Sequence, residues 1–465
     1  MRNLIWFLTL FFLFLHGNLF SQTNLFKGIV KDERTLKPVH DVNIKVHGTN
    51  NGTSTDKFGF FSLRITKVPA SLVITCVGYE NAYYDVLEVP QTPVEFSLTP
   101  KSYPLREVDI SAVKYSYLFK DKNYSVLDYE LMDGNILLLV FRYQLKRSEL
   151  VLLNLIGDTL AISKLPEIPP VSLFKDFLAN VHYFSRAGNA YQVFFNRKEN
   201  RIEFLHKTTV DSLSRLVEPF IFKMSDRLYF QEDLANGFGT AIGFYEQGAG
   251  KKYIRKHFDE KKIAEYIDDQ TYYQKWNATV PPQHYFMTDR EDEFYTTPAF
   301  DFSRGESPGQ FYEVNEERAH EFEFYRLVFP VIKTGENTIA FFNFPGNYLE
   351  LMNENGKVIN TVPVTFHQET ASKALPASSN QLLNIGWRWG RKILVDEYSH
   401  GVYTTFFRNG MVKIQKINLE TGKLQEGTVL PFPFPEKIQI YNREAYFLIK
   451  SDGANDKWKL AGCNL

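Results

Sequence analysis

Two cysteines in 465 residues are too few for a disulfide scaffold. Cys76 falls in a core-like strand pattern and Cys463 lies close to the C-terminus, so two free, mostly buried thiols are expected. Charge of one sign is also missing. The chain carries 53 Lys and Arg against 54 Asp and Glu, a formal net charge of −1, which leaves no basic field for nucleic acid and excludes that class of partner. The longest apolar run, Leu4–Leu15, is shorter than the roughly 20 residues needed to span a bilayer, so no transmembrane segment is expected in the mature chain. Catalytic signatures are absent as well: there is no Gly-x-Ser-x-Gly, no P-loop, no His-Glu-x-x-His and no Cys-x-x-Cys. No cofactor is implied.

What is present begins with that apolar run. A basic start, Met1-Arg-Asn, precedes it, and His16-Gly-Asn-Leu-Phe-Ser21-Gln22 follows. This is the layout of a secretory signal peptide over residues 1–21, cleaved near Ser21, and it implies export. The destination expected is the periplasm or the outer membrane, or release from the cell. Phe and Tyr number 41 and 26, a weighting that favours sheet over helix.

Residues 23–100 read as a small antiparallel sandwich. Val42, Ile44 and Val46 alternate with polar residues, as do Phe61, Leu63 and Ile65. Asn50-Asn51-Gly52 and Asp56-Lys57-Phe58-Gly59 supply turns between them. The joint pattern of Gly28, Val30, Asp32, Thr35, Pro38-Val39, Val42, Ile44, Gly52-Thr-Ser-Thr-Asp56, Gly59, Phe61, Leu63 and Val77-Gly78-Tyr79 resembles the carboxypeptidase-regulatory-like domain. That resemblance implies a transthyretin-like β-sandwich, an accessory domain without catalytic residues. The family also stands at the N-terminus of TonB-dependent receptors and other Gram-negative envelope proteins. Pro100 and Pro104 mark a linker, 101–114.

From residue 115 to 465 one cadence recurs: an apolar strand, then Asn with Gly within about four residues, then another apolar strand. It is clearest at Tyr124–Leu160, Thr338–Ile359 and Lys392–Leu424. Repeats near 115–165, 172–212, 216–256, 318–366, 378–430 and 432–463 resemble the blades of a six-bladed β-propeller of bacterial envelopes. The last is short and is expected to take a strand from near Tyr115–Leu118. The fold class expected is therefore all-β, a transthyretin-like sandwich followed by a six-bladed propeller. A helical insertion over 257–317 carries Ile263, Tyr266, Ile267 and Tyr273 at helical spacing.

Candidate chemistry is thin. His257-x-x-Glu260 has the spacing of two zinc ligands in metallocarboxypeptidases, but that family also needs further ligands on an α/β fold, and no metal site is assigned. The acidic run with Asp289, Glu291 and Glu293 reads as a solvated loop before it reads as a glycosidase pair. With Trp276, Tyr285, Tyr295, Trp387 and Arg388 it forms the candidate binding surface, since Trp, Tyr and Arg dominate binding hot spots. Trp387 and Trp389 fit packing between blades equally well. The function expected is non-enzymatic binding or scaffolding in the Gram-negative envelope, with a protein or glycan as partner. The alternatives are a propeller hydrolase or lyase acting on glycans or peptides, and an accessory subunit of an outer-membrane receptor.

Overall fold

A computed structural model describes residues 25–87, 89–90, 92–101, 115–119, 121, 123–217, 220–234, 239–258, 329–368, 386–450 and 457–465. The chain divides into two compact units. The first holds the strands from Leu25 to Leu98, and the second holds nearly all of the rest.

The first unit is two sheets with one core. Phe60–Arg64, Leu25–Asp32 and Val94–Leu98 form one sheet in that order, with the last pair parallel. Gly52–Ser54, Asn43–Val46, Ala70–Thr75 and Ala82–Val86 form the other. Alternation fills the space between them: Phe26, Val30, Phe61, Leu63 and Phe96 from one sheet meet Ile44, Leu72 and Ile74 from the other. Glycine is required at position 28, because a Cβ there would lie 2.5 Å from the Val94 carbonyl oxygen and 2.6 Å from the Phe61 ring.

Among the described residues, the second unit is a succession of six four-stranded antiparallel sheets. The first sheet is Tyr124–Met132, Asn135–Arg142, Arg147–Leu153 and Thr159–Lys164. Next comes Pro170–Lys175, Val181–Ser185, Asn189–Asn196 and Arg201–Thr209, followed by Phe220–Met224, Arg227–Leu234, Gly239–Glu246 and Gly250–Phe258. The fourth is Val331–Lys333, Thr338–Asn343, Tyr348–Asn353 and Val358–Pro363, and the fifth Arg388–Val395, Val402–Arg408, Met411–Ile417 and Leu424–Val429. Only three strands of the sixth come from the C-terminal end: Glu436–Tyr441, Glu444–Lys450 and Trp458–Asn464. Its fourth is Tyr115–Tyr117, paired antiparallel with Ala461–Cys463. In every sheet the strand that comes first in its run, here termed the leading strand, sits at an edge.

Neighbouring sheets share their cores. Leu137, Leu139, Leu150 and Leu152 of the first pack on Leu173, Val181 and Tyr183 of the second. Phe177, just after the second sheet's leading strand, meets Phe220 of the third. Tyr229, Ile242 and Phe244 of the third pack on Val331, Ile339 and Phe341 of the fourth. Trp389 of the fifth lies 4.2 Å from Phe344, at the end of a fourth-sheet strand. Tyr446, Leu448 and Leu460 of the sixth pack on Leu131, Leu138 and Val151 of the first.

Fifth and sixth sheets are joined by a buried carboxylate. Asp396 is 0% exposed and accepts from the backbone N–H groups of Tyr398, Ser399, Asn442 and Arg443 and from the Ser399 hydroxyl. Burial pushes its pKa up, but these donors outweigh it and hold the carboxyl below the ordinary Asp value.

Two departures from the sequence reading stand out. His257 and Phe258 end the strand Gly250–Phe258 and do not begin a helix; the rest of the expected helical insertion lies outside the described residues. A helix does occur at Val210–Val217, where none was expected. Thr209 caps it by accepting from the Ser212 N–H, and Val210 and Leu213 bury against Phe184 and Ala190.

Candidate functional site

The residues that carry the resemblance in the first unit are occupied with backbone. Asp32 Oδ1 accepts from the N–H groups of Arg34 and Thr35, and Oδ2 accepts from the Tyr79 hydroxyl. The Thr35 N–H is the leading cause that holds the Asp32 carboxyl below its ordinary value. Thr55, 4% exposed, accepts from the Val42 N–H and donates to the Val39 carbonyl. Asp56 Oδ1 takes the N–H groups of Phe58 and Phe60 across the turn that Gly59 makes at φ +76°. These polar side chains stand in for ladder bonds where the chain reverses.

Charged side chains converge instead on the leading strands of the second unit. Asp128 and Glu130 share one side of Tyr124–Met132, two residues apart, and Lys437 and Gln439 do the same on Glu436–Tyr441. Lys437 Nζ lies 2.7 Å from Asp128 Oδ1 and 2.8 Å from Glu130 Oε1. Gln439 Nε2 donates to the other oxygen of Glu130 at 2.8 Å. Asp128 also accepts from the N–H groups of Tyr129 and Leu173, so one carboxylate touches the first, second and sixth sheets. Tyr129, between the two acids, points the other way, and its hydroxyl lies 2.5 Å from the Lys437 carbonyl oxygen and 2.7 Å from that of Tyr446. Lys175, on the second sheet's leading strand, pairs with Glu397 just past the fifth sheet's, at 2.6 Å.

Electrostatics follow from this geometry. Burial works against the Lys437 charge, but Glu130 and Asp128 outweigh it and raise its pKa, so the ammonium is held cationic. Burial raises the Glu130 carboxyl despite the pull of Lys437. Lys437 occupies the space between the two carboxylates, where a catalytic pair would hold a water or a substrate atom. Lys392, on the fifth sheet's leading strand, has its pKa lowered by the protein around it and further by Lys437. Its side chain is exposed to solvent.

Of the candidate surface residues, Trp276, Tyr285, Asp289, Glu291, Glu293 and Tyr295 lie outside the described residues. Trp387 is half-buried just before Arg388–Val395, and Arg388, also half-buried, opens that strand. Trp389 is used for packing: it lies tilted against Phe344 and edge-on to Phe366, and its Nε1 donates to Thr404 Oγ1 at 2.8 Å. His257 joins its ring to the Asn343 side chain at 2.8 Å. Among the described residues no group of three or more His, Cys, Asp or Glu is arranged to hold a metal ion. Both cysteines are free, and burial pushes the Cys463 thiol up to about 11. The charged seam went unnoticed in the sequence reading. Its one signal was a pair of acids at i and i+2 inside a strand otherwise apolar, Val126–Leu131.

Residues 26–110 match the CarboxypepD_reg-like domain family, which confirms the kinship of the N-terminal region. No curated protein matches the chain. Among solved structures, Sqt1 of Saccharomyces cerevisiae aligns with 75% of this chain and 95% of its own at 8% identity and a TM-score of 0.29. The computationally designed Ika8 protein covers 94% and 100% at 10% identity and a TM-score of 0.23. A chain of the mitotic checkpoint complex covers 85% and 87% at 8% identity and a TM-score of 0.26. Scores at this level bear no weight on the fold or on function. No helix among the described residues is long and apolar enough to cross a membrane.

Proposed function

We propose that the protein is an exported, non-enzymatic binding or scaffolding component of the Gram-negative envelope, in which an N-terminal accessory sandwich precedes a six-bladed propeller. The propeller reading is supported by the cyclic order of contacts, first sheet to sixth and sixth back to first, and by the strand Tyr115–Tyr117 that completes the sixth sheet. A further support is the Lys175–Glu397 pair, which ties the second sheet's leading strand to the chain just past the fifth sheet's, opposite members of such a ring. Leading strands would then line the central channel, and the charged seam would be its wall.

The observation that carries the binding reading is the engagement of Asp128 and Glu130. Both are tied to Lys437 and to backbone or amide donors, an arrangement that fixes strands relative to one another. General acid–base work needs a carboxyl within reach of a substrate proton, not one spent on an internal lysine. The family match of residues 26–110 agrees with an accessory role in the envelope.

A panel of glycans and envelope peptides, scored for both retention and turnover by the full chain, tests the proposal. Retention without turnover is the expected outcome. Turnover that disappears in Asp128→Asn or Glu130→Gln, with folding preserved by circular dichroism, would replace it with the hydrolase or lyase reading. Export is checked by mass spectrometry, which should find the mature N-terminus near Gln22.

A further inference from the structure

The outer edges of the six sheets are not alike. In each sheet the strand farthest from the leading strand has no strand beyond it among the described residues. Such an edge turns every second N–H and C=O away from its sheet, where another strand can pair with it. Charge guards most of these edges. Gly250–Phe258 carries Lys251, Lys252, Arg255 and Lys256, and Arg201–Thr209 carries Arg201, Glu203 and Lys207. Thr159–Lys164 ends in Lys164, Leu424–Val429 holds Glu426, and Tyr115–Tyr117 is only three residues long. Val358–Pro363, the outer strand of the fourth sheet, has six residues and no charged side chain. All of it but Val362 is exposed, and Ile359 is 64% exposed.

We propose that Val358–Pro363 is a self-association edge, whose partner is the same strand of a second copy of this chain, antiparallel about a two-fold axis at Asn360. Charge selects the occupant. A two-fold axis sets each strand against an identical one, so an edge of one sign repels its own copy. Gly250–Phe258 would bring its four cations against the same four. On Val358–Pro363, Asn360 faces Asn360, Ile359 faces Thr361 and Val358 faces Val362, all neutral, and Lys357 falls opposite Pro363 instead of another lysine. The acid on the adjoining strand, Glu350, which pairs with Thr361, is held by Arg255 at 2.9 Å. Exposed Val358 and Ile359 leave water when the pair forms. The strand also carries its own stops. Pro363 has no N–H, and Gly422 of the fifth sheet packs against its carbonyl. At the other end the register shifts between Leu351 and Met352, opposite Val358 and Ile359. Pairing is thereby confined to Val358–Val362, and it closes at two copies. The leading-strand seam takes no part, so the contact is independent of what the protein binds.

Sedimentation equilibrium of the full mature chain tests the edge. Between about 1 and about 300 µM the average mass should rise from one chain toward two, half-dimeric near about 50 µM, as a short transient contact requires. Asn360→Lys sets two ammonium groups against each other at the axis, and Asn360→Glu sets two carboxylates. Each variant alone should associate about fivefold more weakly, or worse. Mixed in equal amounts, they should dimerise at least as well as wild type, because the axis then holds an opposite pair. Recovery on mixing also shows that both variants are folded. Ile359→Lys mixed with Thr361→Glu repeats the test at the neighbouring pair. Ile162→Lys, exposed on the outer strand of the first sheet, should change nothing. A wild-type chain that stays monomeric to about 300 µM would overturn the proposal. So would Asn360→Lys dimerising like wild type, or mixtures that stay monomeric at both pairs. Loss of the dimer in Ile162→Lys would move the contact to another sheet and sink it equally.

Discussion

The first unit keeps its apolar side chains in one core between two sheets, from Phe26 to Leu98. In the second unit, by contrast, the core is divided among contacts between neighbouring sheets, and each cluster draws on residues far apart in the chain. The consequence is a difference in what holds each unit in register. In the first, turn hydrogen bonds from Asp32 and Asp56, with those of Thr55 to Val39 and Val42, set the strands, and burial then follows from alternation. In the second, no sheet buries both faces alone, so long-range polar ties such as Asp396 and Asp128 fix how one sheet meets the next. Local chemistry specifies the first unit, and distant chemistry the second.

The comparison is broken most severely by removing residues 115–118. This takes a strand from the sixth sheet and leaves a gap where Leu118, 5% exposed, packs against the core shared with the first sheet. The expected loss is upward of about 5 kcal/mol for the second unit, beyond the range of a single Leu→Ala change. Differential scanning calorimetry should show the second unit's transition collapse. If the first transition moves equally, the two units do not unfold separately.

Asp396→Ala comes next. It leaves four backbone N–H groups without their acceptor inside the protein, at a cost of about 3–5 kcal/mol to the second unit. Its folded pKa is depressed, so the stability it contributes is present above the unfolded value of about 3.9 and is lost as pH falls through the folded value. The gap between wild type and variant should therefore narrow below about pH 4. A gap that stays constant to pH 2 would show that the carboxylate charge is not what joins these sheets.

Smaller effects sharpen the contrast from the other side. Thr55→Val keeps the shape but removes the hydroxyl that serves Val42 and Val39, and should cost the first unit about 1–3 kcal/mol. The second transition should not move. Tyr129→Phe removes the hydroxyl that reaches from the first sheet to the sixth, and should cost the second unit about 1 kcal/mol. An unchanged midpoint for Tyr129→Phe would show that apolar packing alone joins the two sheets.

Much of this was legible in the residues. The alternation of Phe61, Leu63 and Ile65, and the turns at Asp56–Gly59, place strands and reversals because their causes are local: side-chain direction alternates along a strand, and Gly accepts positive φ. The repeat cadence likewise marks the first, fourth and fifth sheets, since the Asp133-Gly134, Asn154–Gly157, Asn353–Gly356 and Asn418–Gly422 turns lie within a few residues of the strands they join. Val210–Val217 escaped notice because eight residues between strands offer little periodicity, and its helix is supported by burial of Val210 and Leu213 against a sheet that precedes it.

The sequence by itself determined that the chain is built of strands and where many of them turn. Only the tertiary structure decided which charges meet. Lys437 lies more than 300 residues from Asp128 and Glu130, and Asp396 reaches the turn at Asn442 and Arg443 through space. A hydrogen bond across a turn depends on neighbours along the chain, whereas a salt bridge between sheets depends on the packing of every strand between them. Hydrophobic pattern reports which face is buried but not against what, and so Asp128, Glu130, Lys392 and Lys437 acquire their chemistry only when the sheets are assembled.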